Sequence, residues 1–456
     1  MAISFSQPLV GSLPNGSFFN FLCYNLIMNQ YVFILGRNPE LSAAEIKAVL
    51  PQAKVILEND SFLVLEIGDE VPGQARDDKG GCQVLLNRLG GTIKIGKIIG
   101  QEITADIIAG EIQQMGSRIT RLTEQRQSFG RESGTTGKKI NFGLSYYDCP
   151  KDDLGMAVKK ELKQAGISSR LVTSREKTLS SVVVTKNKCQ EFLVLGFISP
   201  SLFDKLRVTL SLSNVSSQPS PTRGEGGLSN GRNRWLAKTC AVQEFEDYSA
   251  RDYGRPIRDL VSGSLPPKLA QIMINLAQAS QSAVILDPFC GSGTILQEAI
   301  LMGYKNVVGS DKSDKAVEDT KKNLEWLGKK FEIRNSKFEV LQSEVGQISS
   351  KVKKVDAIVT EPYLGPALRG GESREQIEKT VSELESLYLT AFAEFAKVLS
   401  PSGRIVIIFP WFKQFNLTLN IFTQIKKLGF SQLDQNGLVY GRPDQRVFRR
   451  IHIFSR

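Results

Sequence analysis

Two short stretches concentrate the side chains able to do chemistry. In AVILDPFCGSGTILQEAI an apolar run ends at Asp287; Pro288, Phe289, Cys290, Gly291, Ser292, Gly293 and Thr294 follow, and then a helical pattern begins. Glycines at 291 and 293 let the main chain approach a ligand where a side chain would collide. The helix start beyond them offers free N–H groups. Asp311 closes the next apolar run, NVVGSD, where an acid can accept both hydroxyls of a ribose. Glu344, after a third run, is placed to meet an adenine edge. The loop lacks the G-K-[ST] ending of a phosphate cradle and the third glycine of G-x-G-x-x-G, so a nucleoside without pyrophosphate suits it better.

The second stretch is VDAIVTEPYLGP, residues 355–366. A buried strand stops at a proline, with an acid, Glu361, and an aromatic, Tyr363, on either side of Pro362. A carboxylate with an aromatic ring can hold and clamp a flat base bearing an amine. Cys290, within the first loop, reads as a small packing residue, because no histidine stands near to activate it. The only histidine is His452, so chemistry built on a histidine base is nearly excluded. The six cysteines include no CxxC pair, which argues against a zinc site and fits a reducing cytosol.

These loops need a scaffold. From residue 251 onward apolar runs alternate with helical patterns: AVILD, NVVGSD, KFEVLQ, VDAIVT and GRIVIIF read as strands of a mostly parallel sheet covered on both faces. The last stretch, GLVYGRPDQRVFRRIHIFSR, reads as a hairpin turning at Arg442–Gln445 and adds one antiparallel strand. The three binding acids then fall at the C-terminal ends of neighbouring strands, where open α/β sheets take their ligands. Arg446, Arg449 and Arg450 on the final strand are candidates for contact with a polyanion, or for a solvated basic edge.

With 456 residues the chain calls for two or three domains. Residues 1–28 are expected to be a disordered extension, with Met28 as the natural start. Residues 29–100 form an α+β domain in which Ser42 and Glu45 are read as a capping box. Residues 101–200 form a second α+β unit, with SSVVVTKNK as a strand; residues 123–139 are a polar, Gly-rich loop. Residues 201–250 are a linker with a Ser/Gly/Pro-rich insertion at 211–234, followed by a strand in KTCAVQEF. Residues 251–456 form the α/β domain. No stretch is long and apolar enough to span a membrane. A net charge of +11 favours a nucleic-acid partner.

DPFCGSGT resembles the S-adenosylmethionine-binding motif of class I methyltransferases that act on exocyclic amines of RNA or DNA. RDYGRPIRDLVSGSLPPKLAQIMINLA, VDAIVTEPYLG and RPDQRVFRRIHIF resemble the THUMP-containing tRNA guanosine-N2 methyltransferases, which modify position 10. FILGRNPELSAAEI and SSVVVTKNK resemble their N-terminal and THUMP regions more weakly. The resemblance implies a Rossmann-like class I methyltransferase sheet behind ferredoxin-like and THUMP-like N-terminal domains. It implies S-adenosylmethionine held by Asp287, Phe289, Gly291, Gly293, Thr294, Asp311 and Glu344, with Glu361, Pro362 and Tyr363 as the catalytic loop. It further implies tRNA as partner and a cytoplasmic location, and leaves open a small activator subunit.

The family's catalytic loop is usually Asp/Asn-Pro-Pro-aromatic. Here either Glu361 takes the acid position, with Tyr363 in place of the second proline, or Thr360 takes the polar position, with Pro362-Tyr363 as the final pair. The first register aligns DAIVT with the usual lead-in. A DNA or other-RNA amine methyltransferase, acting on adenine N6 or cytosine N4, and an RNA-binding protein with weakened chemistry are the alternative readings.

Overall fold

A computed structural model describes residues 29–68, 79–114, 139–198, 232–258, 264–333, 337–442 and 445–456. The expectations for residues 1–28, for 123–138 and for most of the 211–234 insertion lie outside the described residues.

The N-terminal part is one eight-stranded sheet. Its strands are β1 (Gln30–Leu35), β2 (Lys54–Glu58), β3 (Phe62–Glu66), β4 (Thr92–Gly100), β5 (Ile140–Tyr147), β6 (Ser169–Val172), β7 (Gln190–Ile198) and β8 (Arg232–Val242), in the order β2-β3-β1-β4-β8-β7-β5-β6. Residues 232–253, placed by the sequence mainly in a linker, are instead β8 and the helix Phe245–Tyr253. β8 is antiparallel to both β4 and β7 and fuses the two expected α+β units into one sheet. This pairing joins segments far apart in the chain, so no local pattern announces it. A buried charge marks the seam. Lys94 on β4 donates to Glu191 on β7 at 2.5 Å, and Thr239 on β8 donates to the other Glu191 oxygen at 3.0 Å.

Two local readings are corrected. Ser42 and Glu45 do not cap a helix. The helix runs from Pro39 to Val49 with Asn38 as N-cap, so both residues sit inside it. They reach out to Gly90 and Gly91: Ser42 Oγ donates to Gly91 O at 2.9 Å, and Glu45 accepts from both glycine N–H groups at 2.8 Å. The SSVVVTKNK segment, rich in β-branched residues, is a short helix (Ser181–Lys186), because Ser180 caps it by accepting from Val183 N. A local cap here overrides weak strand propensity.

The C-terminal part holds β9 (Val284–Asp287), β10 (Asn306–Asp311), β11 (Lys337–Gln342), β12 (Val355–Thr360), β13 (Leu399–Phe412), β14 (Leu417–Thr418), β15 (Ser431–Gln432), β16 (Leu438–Tyr440) and β17 (Val447–Ser455). The sheet order is β11-β10-β9-β12-β13-β17-β15. β9 to β13 are parallel, and β17 is antiparallel to β13, as the sequence implied. The apolar runs that fill these strands are buried on both faces, between one core led by the helix Pro267–Leu276 and another led by the helix Arg374–Val398. The chain winds outward from β9 in one direction through β10 and β11. It winds in the other through β12 and β13, so the topological switch point lies between β9 and β12.

The two parts meet through buried polar contacts. Asn275, on the helix Pro267–Leu276, donates to Glu45 at 2.7 Å and accepts from Arg88 Nε at 3.2 Å. Burial pushes the Glu45 carboxyl up to about 7, against the hydrogen bonds from Gly91, Gly90 and Asn275.

Candidate active site

The sequence-selected residues line one edge of the C-terminal sheet. Parallel pairing sets Asp311 level with Gln342, two residues before Glu344. Asp287 pairs with Gly309, and β12 carries Thr360 beside β9. Glu344, Asp311, the 287–294 loop and Glu361 thus follow one another across four adjacent strand ends.

The loop after β9 is shaped by its glycines. Gly291 has φ +52° and Gly293 has φ +82°, both in the left-handed region. They differ in surroundings. A Cβ on Gly291 would meet nothing within 4 Å, whereas a Cβ on Gly293 would lie 2.8 Å from Thr320 Cγ2. Gly291 therefore opens space for a ligand, and Gly293 packs the helix Thr294–Leu301 against its neighbour. Asp311 is fixed by two main-chain donors, Gly291 N at 3.1 Å and Ser313 N at 2.9 Å, one to each oxygen. Each oxygen keeps a lone pair for a further donor, as a ribose diol requires. Phe289 is half-buried, and Glu344 stands exposed beyond β11.

Asp287 and Thr294 sit deeper. Asp287 accepts from Thr360 Oγ1 at 2.7 Å and from Phe289 N at 3.2 Å. Burial pushes its carboxyl up to about 7, and the charges of Asp311 and Glu361 add to that. Thr294 is buried and accepts from Arg255 Nη1 at 2.7 Å. Burial also raises the Cys290 thiol, which keeps it neutral and consistent with a packing role.

Several supports were invisible in the sequence. Thr320 Oγ1 donates to Gly291 O at 2.7 Å. Asn323 donates to Ser292 O at 2.9 Å and holds both backbone groups of Ile257. Arg255 and Ile257 belong to the segment RDYGRPIRD, which reads from sequence as a basic turn. Its arginines are the signal that was there to find: Arg251 pairs with buried Glu298 at 2.8 Å while Arg255 reaches Thr294.

The loop after β12 presents Glu361 and Tyr363 differently. Tyr363 is exposed, with 56% of its surface free, and its carbonyl accepts from Tyr388 Oη at 3.4 Å. The same hydroxyl lies 3.0 Å from Ile408 O, so its single proton is shared between the two carbonyls and links the loop to β13. Pro362 is buried. Glu361 is largely enclosed, and its Oε1 accepts from Arg449 Nε on β17 at 2.5 Å. Of the final-strand arginines, Arg449 thus points into the site. Arg450 lies over the Trp411 ring, and Arg446 donates to Leu368 O at 3.4 Å.

A nucleoside fits this edge. The open glycine turn supplies space, and the doubly anchored Asp311 supplies diol acceptors.

Comparison with known proteins shows what this part of the chain is similar to. The model described as UPF0020, RMKL-like, methyltransferase domain, matches residues 255–433. A protein named tRNA (guanine(10)-N2)-dimethyltransferase from Methanothermobacter thermautotrophicus is 41% identical over 144 residues, 31% of this chain and 40% of that protein. One of the same name from Pyrococcus abyssi is 34% identical over 185 residues, 40% of this chain and 49% of the relative. The matched stretches therefore span at most about half the length of these relatives. Among solved structures, TrmN from Thermus thermophilus aligns over 94% of this chain and 99% of its own, at 14% identity and a TM-score of 0.46. Residues 255–433, which carry the glycine turn, Asp311 and Glu361, are thus similar to the RMKL-like methyltransferase domain.

Proposed function

We propose that this protein uses S-adenosylmethionine to methylate the exocyclic N2 amine of a guanosine in tRNA, at position 10. The observation that carries the reading is the placement of Glu361 beside the Asp287–Asp311 edge, in a chain whose relatives are named for that reaction.

Asp311, Gly291, Gly293, Phe289 and Glu344 would hold the cofactor, with Asp287 and Thr294 bracing them from below. When bound, the cofactor supplies a methyl group activated by its sulfonium. The rest falls to positioning, which can provide most of the acceleration in such a transfer. The amine of guanine is a poor nucleophile because its lone pair is delocalised into the ring. A hydrogen bond from that amine to Glu361 Oε2 favours a more pyramidal nitrogen. The exposed Tyr363 ring offers a face for the base, which must leave its stack to arrive there. Glu361 Oε2 would take up the proton that the amine gives up as the methyl group leaves sulfur for nitrogen.

The N-terminal sheet is assigned the task of holding tRNA, as a THUMP-like module, and the net charge of +11 supports phosphate contacts that position without reading sequence. No helix among the described residues is long and apolar enough to cross a membrane, and the cytoplasm is the location this reading entails.

The test is incubation with unmodified tRNA and labelled S-adenosylmethionine, followed by nucleoside mass spectrometry. N2-methylated or N2,N2-dimethylated guanosine is expected, and a transcript with adenosine at position 10 should lose it. Folded protein that binds the cofactor yet yields no methylated guanosine overturns the proposal.

A further inference from the structure

Glu361 lies where related catalytic loops usually carry Asp or Asn, and its extra methylene has a destination. Arg449 Nε donates to Glu361 Oε1 at 2.5 Å, with side-chain exposures of only 13% and 15%. The two residues come from different strands: Glu361 follows β12, and Arg449 is on β17, which lies beyond β13. Arg449 is in register with Pro410 and Tyr440, so the strand ladder on both sides sets its height along the sheet. The contact spans the C-terminal end of β13 and reaches the catalytic loop from the side opposite the cofactor edge. An aspartate at 361 would end about 1.5 Å nearer its own backbone, short of this partner.

The pair divides the carboxylate. Oε1 is committed to Arg449, and Oε2 has no hydrogen-bond partner among the described residues. A charge-assisted hydrogen bond between enclosed partners has a defined direction and fixes the plane of the acid. β17 does not need this contact for its own placement, because nine consecutive pairs already join it to β13.

We propose that Arg449 is a positioning residue for methyl transfer: it holds Glu361 Oε1 so that Oε2 faces the target amine. The role rests on the functional reading given above. It makes the C-terminal hairpin part of the active site, and it matches a glutamate loop to an arginine strand.

The test is a double-mutant cycle on turnover with tRNA, using Glu361→Gln, Arg449→Met and the double variant, with cofactor affinity measured by calorimetry on each. Arg449→Met should lower kcat about a hundredfold, as expected for a misplaced group near the reacting atoms, with cofactor affinity and KM for tRNA essentially unchanged. The double variant should be no slower than Glu361→Gln alone, because Arg449 acts only through Glu361. Arg449→Lys, which keeps the charge, should recover part of the loss. Multiplicative losses in the double variant, or no rescue by lysine together with weakened cofactor binding, would reduce Arg449 to a structural residue. A wild-type protein with no turnover on tRNA would remove the functional reading itself, and the role of Arg449 with it.

Discussion

Thr360 ends β12 with its hydroxyl donated to the Asp287 carboxyl 2.7 Å away. The bond crosses between the two strands that part at the switch point, and it ties the glycine loop to the acid loop. Asp287 is raised by burial from 3.8 to about 7, so its protonated form is the one the fold prefers. Its stabilising contribution is complete below about pH 4 and is lost as the pH rises through 7. The gap caps the effect at roughly 4 kcal/mol. Calorimetric melting at pH 5, 6, 7 and 8 should show the wild-type midpoint falling. Asp287→Asn, which keeps an acceptor for Thr360 but cannot ionise, should fall less steeply. Parallel curves would shift the pH dependence to Glu45 and Glu298, the other buried carboxyls raised to about 7.

The two loop glycines should fail in different ways. Gly291→Ala meets open space, so its cost to stability is the left-handed backbone alone, about 1 kcal/mol. Its methyl group enters the open space above the turn, which is the space proposed for the cofactor, so cofactor affinity should drop tenfold or more. Gly293→Ala adds a clash with Thr320 to a positive φ, and it should cost about 2–4 kcal/mol of stability. Chemical denaturation and calorimetric titration of both variants separate the effects. Equal stability losses would show that the loop relaxes around either methyl group.

Glu361 gives the third test. Glu361→Ala should lower turnover by about 10²–10⁴ while leaving cofactor affinity within a few-fold, since its carboxylate is engaged by Arg449 on β17, on the side of the loop away from β9 and Asp311. Glu361→Asp should also be slow, because the shorter acid cannot reach Arg449 and face the amine together. Unchanged turnover in the aspartate variant would mean that the length of the acid is immaterial. It would favour the register in which Thr360 holds the polar position, although Thr360 is already engaged with Asp287.

Much of the C-terminal sheet was legible because a parallel sheet buried on both faces writes each strand as a continuous apolar run. VDAIVT and GRIVIIF leave little room for another reading. The strand-end acids followed from that sheet without further information. What could not be read was contact across distance. Arg449 lies 88 residues from Glu361, and nothing local distinguishes it from Arg446 or Arg450. Ser42 and Glu45 kept the spacing of a capping box while serving glycines nearly fifty residues away. The β8 seam shows the same limit, since a strand that enters between two others depends on partners already assembled.

That seam supports a last prediction. Lys94 and Glu191 are buried at the centre of the N-terminal sheet, and the carboxylate is fully engaged: Oε1 accepts from Lys94 and from Ser145, Oε2 from Thr239. Lys94 also donates to Leu179 O at 2.6 Å. Removing one member leaves the other charged and unpaired in an apolar interior, which typically costs 3–5 kcal/mol, whereas replacing both ends of such a pair costs much less. Lys94→Met should therefore lower the free energy of unfolding in urea by about 3–5 kcal/mol. Lys94→Met combined with Glu191→Met should recover a substantial part of that loss, but not all of it, because Ser145 and Thr239 lose their acceptor. Cofactor affinity should not move in either variant, since the pair lies in the other sheet. A double variant less stable than Lys94→Met would mean that Glu191 holds the seam chiefly through the two hydroxyls, with the ion pair incidental to it.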